Sequence, residues 1–230
     1  MTARYHCSNL TEDQVTLSQS ESHHAIHVMR MNAGDAIALF DGFGTTTQGE
    51  VCQITRREVS VQILSRESHP RPITELCILA SPPKGDRLRW MIEKLTELGV
   101  TLFRPLISDR TVKHGANRRS DKLSSAVIEA AKQCGRNWLM EIGEPITLED
   151  FSRAAHSSEH RILVAHPGSN VLPPLQSADK TTVLIGPEGG FTEKEISHLQ
   201  ESGAGIVSWP GNTLRTETAA ITFAALLKSC

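Results

Sequence analysis

Aromatic residues are scarce in this chain: Phe, Trp and Tyr make up 4% of 230 residues, with a single Tyr. That leaves little material for the aromatic sheets on which common RNA-recognition modules stack bases. No apolar run approaches the ~20 residues that span a bilayer, and Met1 to Leu10 carries no apolar signal core. Neither membrane insertion nor export is expected, and a cytoplasmic location is. The five cysteines (Cys7, Cys52, Cys77, Cys134, Cys230) are scattered and never spaced C-x-x-C. Their odd number and spacing argue against a disulfide framework and against a zinc site, and suit a reducing compartment. There are no internal repeats, and no Ser/His/Asp or Cys/His arrangement points to acyl transfer. His23 and His27 stand at i, i+4, but without nearby Cys or carboxylate the pair reads as surface or packing, and no metal is expected.

What is present is the composition of a water-soluble globular protein, 39% apolar and 22% charged, long enough for one large domain or two smaller ones. The net charge of −2 hides a segregation. From Lys84 to Arg136 there are 12 Lys or Arg against 6 Asp or Glu, a local +6 that leaves −8 for the rest. The densest part is Arg110, Lys113, His114, Arg118, Arg119 and Lys122, around the Gly115-Ala116-Asn117 turn. Segregation of this kind is the footprint of a face that binds a polyanion.

Residues 1–70 read as a small β-rich domain, with strands over Ala36–Asp41, Thr46–Ile54 and Val59–Leu64 and a short helix capped by Ser22 and running through Met31. Ser65–Pro72, with two prolines, reads as a linker. Residues 73–230 alternate instead. Leu76–Ala80, Leu102–Ile107, Arg161–Ala165, Thr182–Ile185 and Gly205–Ser208 are strand-like. Leu88, Met91, Ile92, Leu95 and Leu98 share one helical face, and Leu123, Ala126, Val127, Ala130 and Cys134 another. Such alternation predicts an α/β domain with a parallel sheet and helices on both faces.

Two loops in this half carry the chemistry. In VLIGPEGGFTEKEI, the run Val183–Ile185 leads into Gly186, Gly189 and Gly190, which let a ligand approach the main chain. Thr192 and Glu195 form a capping box that starts a helix. The turn from Gly186 to Phe191 has no Lys, and Glu188, Glu193 and Glu195 would repel phosphate, so a neutral, zwitterionic or cationic ligand suits it better than a nucleoside triphosphate. In GNTLRTETAAITFA, the turn Pro210-Gly211-Asn212 precedes an Ala-rich helix from Thr216 to Leu227. Glu217 complements the helix dipole at that start. Arg215 does not, and calls for a carboxylate or an anionic ligand.

These residues resemble the SPOUT methyltransferases, and within them the bacterial small-subunit ribosomal RNA uracil-N3-methyltransferases. The runs GPEGGFT-x-x-E and LRTETAA are similar to that family's two cofactor loops. Pro82-Pro83-Lys84-Gly85-Asp86-Arg87 is similar to its PPKGDR turn, Glu93 to Gly99 to the helix after it, Glu129 to Arg136 to its EAAEQ-x-GR segment, and His24 to Arg30 to its H-x-x-x-V-L-R. One departure stands out: Trp209-Pro210-Gly211-Asn212-Thr213 replaces the family's L-G-x-R-I before Leu214 and Arg215.

The resemblance implies a PUA-like RNA-binding barrel in residues 1–70 and a SPOUT α/β domain with a C-terminal trefoil knot in residues 73–230. It implies S-adenosylmethionine as cofactor, 16S ribosomal RNA or the small subunit as partner, and a homodimer for which Ile221, Phe223, Leu226 and Leu227 offer an apolar face. Cofactor contacts fall on Ala165, His166, Ile185, Gly186, Pro187, Glu188, Gly190, Trp209, Asn212, Leu214, Thr218 and Ala219. RNA contacts fall on Arg30, Lys84, Arg87, Arg110, Lys113, Arg118, Arg119 and Arg136, with His24 beside Arg30. Because uracil N3 is protonated and weakly acidic, the anion must be stabilised as it forms. Arg215 is the candidate stabiliser, and Glu217 the candidate base or the group that orients Arg215. Two other readings are a non-catalytic assembly protein that keeps only the fold, and a nucleotide-dependent enzyme, which the missing P-loop Lys disfavours.

Overall fold

The computed structural model describes residues 3–111, 120–154, 160–167 and 180–228. The chain forms two compact units, Met1–Arg71 with Ala131–Leu139, and Pro72–Ala130 with Met140–Cys230.

The first unit is built on β1 (Arg4–His6), β2 (Gln14–Thr16), β3 (Ala36–Phe40), β4 (Thr45–Ile54) and β5 (Val59–Ser68), in the order β1-β3-β4-β5-β2. Only β1 and β3 pair parallel; the other neighbours are antiparallel. Alternation buries Val59, Val61 and Ile63 beside Ile37, Leu39, Val51 and Tyr5. Strand β5 continues to Ser68, four residues past the expected Leu64, because Ser65 to Ser68 still pair with β4. The expected linker from Ser65 therefore begins as strand.

The helix here also differs from expectation. Ser18, not Ser22, caps α1 (Gln19–His23), accepting from the backbone N–H of Glu21, and a π-helical turn follows over His24–Val28. Ser22 is buried, and its Oγ donates to Leu17 O and accepts from Val59 N. A tertiary partner has claimed the hydroxyl that local sequence would assign to a cap.

The second unit holds β6 (Glu75–Ala80), α2 (Asp86–Glu97), β7 (Leu102–Ile107), α3 (Ser120–Cys134), β8 (Glu141–Ile142), β9 (Ile146–Thr147), α4 (Leu148–Ala154), β10 (His160–Ala165), β11 (Lys180–Ile185), α5 (Glu193–Glu201), β12 (Gly205–Val207) and α6 (Thr216–Lys228); the end of α3 packs in the first unit. Its sheet runs β12-β10-β11-β6-β7-β8, with β9 also on β7, and every pairing is parallel. Buried apolar runs such as Leu76–Ala80 are what a parallel strand covered on both faces requires. Leu79, Val164 and Leu184 meet Phe151 of α4 and Leu199 of α5 in one cluster, while α6 packs on α2, β6 and β11.

Chain order leaves β6 toward β7 on one side, and leaves β11 toward β12 on the other. Adjacent strands with diverging connections open a crevice at their carboxyl ends. No described helix is long and apolar enough to cross a membrane.

Candidate active site

The glycine turn hangs from the carboxyl end of β11, where Ile185 pairs with Ala80 of β6. A side chain at Gly186 would be crowded: a Cβ there would stand 3.2 Å from the Phe191 ring and 3.3 Å from its backbone N. Gly190 sits at φ +69°, a region that favours glycine. The turn is held from two sides. Arg110 Nη1 donates to Gly189 O at 2.7 Å, and Thr216 Oγ1, in the first turn of α6, donates to Gly186 O at 3.1 Å.

The expected capping box is present. Thr192 Oγ1 accepts from Glu195 N at 3.2 Å, and Glu195 Oε2 accepts from Thr192 N at 2.7 Å. The other oxygen of the buried Glu195 accepts from Asp109 N at 2.9 Å, so the same carboxylate ties the end of β7 to the start of α5.

Three neighbouring strand ends then converge. His166 follows β10, the glycine turn follows β11, and Ser208 to Arg215 carries the chain from β12 to α6. They enclose a cleft of about 350 Å³, within the ~300–1,000 Å³ of small-molecule sites. Ala165, His166, Ile185, Gly186, Pro187, Glu188, Gly190, Trp209, Asn212, Leu214 and Ala219 all line it, so every cofactor candidate except the exposed Thr218 is brought together. Thr216, Phe191 and Phe223 also line it and were not foreseen. Spacing held a signal for two of them, since Thr216, Ala219 and Phe223 repeat at i, i+3, i+7 on one helix face.

The charge of this cleft is informative. Arg110 and Glu188 are its formally charged lining residues, and Arg110 already serves Gly189 O. Among the described residues no Lys lines it, and Ile185, Leu214 and Phe223 give it apolar surface. A cationic or zwitterionic ligand with an apolar ring fits such a lining better than a polyphosphate does.

Other candidates are placed differently. Arg215 is exposed and lines no cavity described here. Glu217 is buried at the start of α6, and its Oε1 accepts from Arg87 Nη1 at 3.3 Å. Its ion-pair partner is thus Arg87, a correction to the expectation that it orients Arg215. Arg87 also stands 3.4 Å from Glu188 Oε1, so the residue expected to meet RNA is engaged by two carboxylates.

Lys84 is exposed just beyond β6, and Arg110 lines the cleft. Arg30 is exposed in the first unit at φ +53°. Arg136 is half-buried in that unit, where burial lowers its pKa. Lys113, Arg118 and Arg119 lie outside the described residues.

Comparison with known proteins agrees with this geometry. Residues 69–228 match the family model of an RNA methyltransferase domain, and residues 17–64 that of an RNA methyltransferase PUA domain. Ribosomal RNA small subunit methyltransferase E of Bacillus subtilis is 29% identical over 91% of this chain and 90% of its own. The Aquifex aeolicus protein of the same name is 32% identical over 80% and 84%. The crystal structure of a ribosomal RNA small subunit methyltransferase E from Neisseria gonorrhoeae, bound to S-adenosyl methionine, matches with a TM-score of 0.88 at 26% identity, covering 100% of this chain and 98% of that one. A PUA-like first domain, a parallel α/β second domain and a cleft of this character place the chain in one family: it belongs to the RNA methyltransferases that include ribosomal RNA small subunit methyltransferase E.

Proposed function

We propose that this protein transfers a methyl group from S-adenosylmethionine to N3 of a uridine in 16S RNA of the small ribosomal subunit, in the cytoplasm. The observation that carries the reading is the meeting of the glycine turn and the Trp209–Thr216 segment around one cleft, lined by no Lys among the described residues, at three neighbouring strand ends. The names of the relatives and the cofactor bound in the Neisseria gonorrhoeae structure support it. An open cleft so lined argues against an assembly protein that retains the fold alone.

Bound S-adenosylmethionine supplies an electrophilic methyl group on a cationic sulphur. The residues of the chain supply position and electrostatics. Ile185, Leu214 and Phe223 would give the adenosine an apolar surface, and Gly186 to Gly190 would bring backbone close to the ligand. Holding the two reactants together supplies much of the acceleration, on the order of 7–11 kcal/mol in favourable cases. Arg215, exposed just before α6, is the cation assigned to the anion that forms on uracil. Glu217 acts through Arg87 rather than as a free base.

The finer features of the family belong to this proposal as well: the C-terminal segment threads a trefoil knot, and two copies pair as a homodimer. Light scattering that finds only monomer at working concentrations removes the dimer, and an experimental chain trace without a threaded loop removes the knot.

The deciding experiment uses small subunits from cells lacking this protein. Wild-type protein with labelled cofactor is expected to label one nucleotide, and mapping is expected to place the methyl on N3 of uridine. Arg215→Ala is expected to lose that labelling while calorimetry still shows cofactor binding. Methylation of ribose or of another base sinks the uridine assignment, and full turnover by Arg215→Ala sinks the role of that residue.

A further inference from the structure

Next to the cofactor cleft lies a second cavity of about 250 Å³. It opens where Ser81-Pro82-Pro83-Lys84 leaves β6, and shares Arg110, Thr216 and the Pro187–Gly189 stretch with the cleft. Strands β6 and β11, whose carboxyl ends frame it, are the pair with diverging connections. The cavity is smaller than the usual site for a drug-sized ligand and is of a size for one nucleobase.

Its polar groups can be accounted for one by one. Ser81 Oγ donates to Leu106 O at 3.2 Å and stands 3.1 Å from Thr111 Oγ1. Thr111 Oγ1 accepts from Ser108 N at 2.9 Å and lies 2.9 Å from Ser108 Oγ. Both hydroxyls are therefore committed within the protein. Glu188, which lines both cavities, has one carboxylate oxygen 3.4 Å from Arg87 Nη1. Among the described side chains, the donors that remain for a ligand are the exposed ammonium of Lys84 and those N–H groups of Arg110 that Gly189 O does not use. Lys84 adds a cation that the adjoining cleft, which shares Arg110 and Glu188 with this cavity, does not have among its described lining residues. Pro83 is buried, which fixes the backbone from which Lys84 projects.

From this juxtaposition we infer that the second cavity receives the acceptor pyrimidine ring, with the Lys84 ammonium, backed by Arg110, acting beside the assigned Arg215 as a further cation that stabilises the negative charge spreading onto the ring's carbonyl oxygens. The inference rests on the proposed function and names its acceptor subsite. In the step it serves, the N3 proton passes to water and N3 forms a bond to the methyl carbon. The bond from that carbon to the donor sulphur breaks, leaving its electron pair on sulphur. Arg110, shared by both cavities, fixes the glycine turn between donor and acceptor.

The test uses the whole protein and small subunits reconstituted around RNA transcribed with uridine or with 5-fluorouridine, whose imide is more acidic. Single-turnover rate, KM for the subunit and cofactor affinity are measured for wild type, Lys84→Met and Lys84→Arg. Lys84→Met is expected to lose about 10²–10³-fold in rate on uridine with cofactor affinity unchanged. Lys84→Arg is expected to recover part of the loss. On 5-fluorouridine the deficit of Lys84→Met should shrink at least about tenfold, because a more acidic imide needs less help.

A rise in KM with the rate unchanged overturns the inference, since Lys84 then holds a phosphate. An equal deficit on both RNAs also overturns it. The wild-type arm separates this from failure of the underlying reading: if wild type methylates no uridine, the proposed function falls, whatever the variants do.

Discussion

Arg87 Nη1 lies 3.3 Å from Glu217 Oε1, a carboxylate on a side chain only 7% exposed. The same nitrogen stands 3.4 Å from Glu188 Oε1 on a side chain 76% exposed. One guanidinium thus joins the first turn of α2, the first turn of α6 and the glycine turn. Arg87→Gln should leave the Glu217 carboxylate buried without its cation and cost about 1–3 kcal/mol of stability, with weaker cofactor binding because two walls of the cleft lose their tie. Glu188→Gln should cost less than about 0.5 kcal/mol, as exposed pairs do. Chemical denaturation and calorimetry on both variants check this. An Arg87→Gln protein with unchanged stability and cofactor affinity, but weaker RNA binding, would restore Arg87 as an RNA contact.

Gly186→Ala tests the approach of Phe191. Its backbone angle is open to any residue, so the cost comes from the added Cβ, 3.2 Å from the ring. Overpacking of this kind costs about 1–3 kcal/mol. The ring lines the cleft, so cofactor affinity should fall about tenfold or more. Calorimetric titration reads the change directly.

In the first unit, Lys132 Nζ is 2.8 Å from Glu21 Oε2, with side chains 8% and 7% exposed, and it also lies 5.4 Å from the centroid of the Tyr5 ring. Lys132→Met should be costly, about 3–5 kcal/mol, because it strands a buried carboxylate. The double change Glu21→Leu with Lys132→Met should recover most of that. Urea unfolding of the two variants decides it, and a double variant no better than the single one contradicts the explanation.

His160 supplies a pH dependence. Its Nε2 lies 2.7 Å from Thr182 Oγ1, and burial, with Lys180 adding to it, lowers its pKa below the ordinary 6.5. In the unfolded chain the ring takes a proton as pH falls through about 6.5, while the folded ring resists. Stability is therefore full above that value and is lost as pH falls toward and through the folded pKa. The melting temperature should fall between about pH 7.5 and 5.5, and His160→Gln should flatten that slope. An unchanged slope removes His160 as the cause.

Much of this molecule is legible in the chain. Leu102–Ile107 forms strand over the span that its apolar run indicates, and Thr192 and Glu195 form their box, because each depends on neighbours a few residues away. The three-residue strands β1 and β2 and the short α4 escape such reading: β1 exists because Arg4, Tyr5 and His6 find Ala38, Leu39 and Phe40 far along the chain. Ser22 differs from its local pattern for the same reason, its hydroxyl accepting from Val59 N. The helical face from Leu123 to Cys134 is continuous in sequence, yet residues from Ala131 pack in the first unit. There Arg4 donates to Arg136 O at 2.9 Å, a partner 132 positions away.

The chain alone specifies that the longer apolar runs such as Leu76–Ala80 and Leu102–Ile107 become strands, where α5 starts, and that the glycine turn carries no Lys for a phosphate. Those are matters of local geometry and residue chemistry. It could not specify that Arg87 would meet Glu217, 130 positions on, that Arg110 would hold Gly189, or that two cavities would share one turn. These pairings follow from the order β10-β11-β6-β7. That order is set by which buried faces pack together across the whole domain, and no window of neighbouring residues records it.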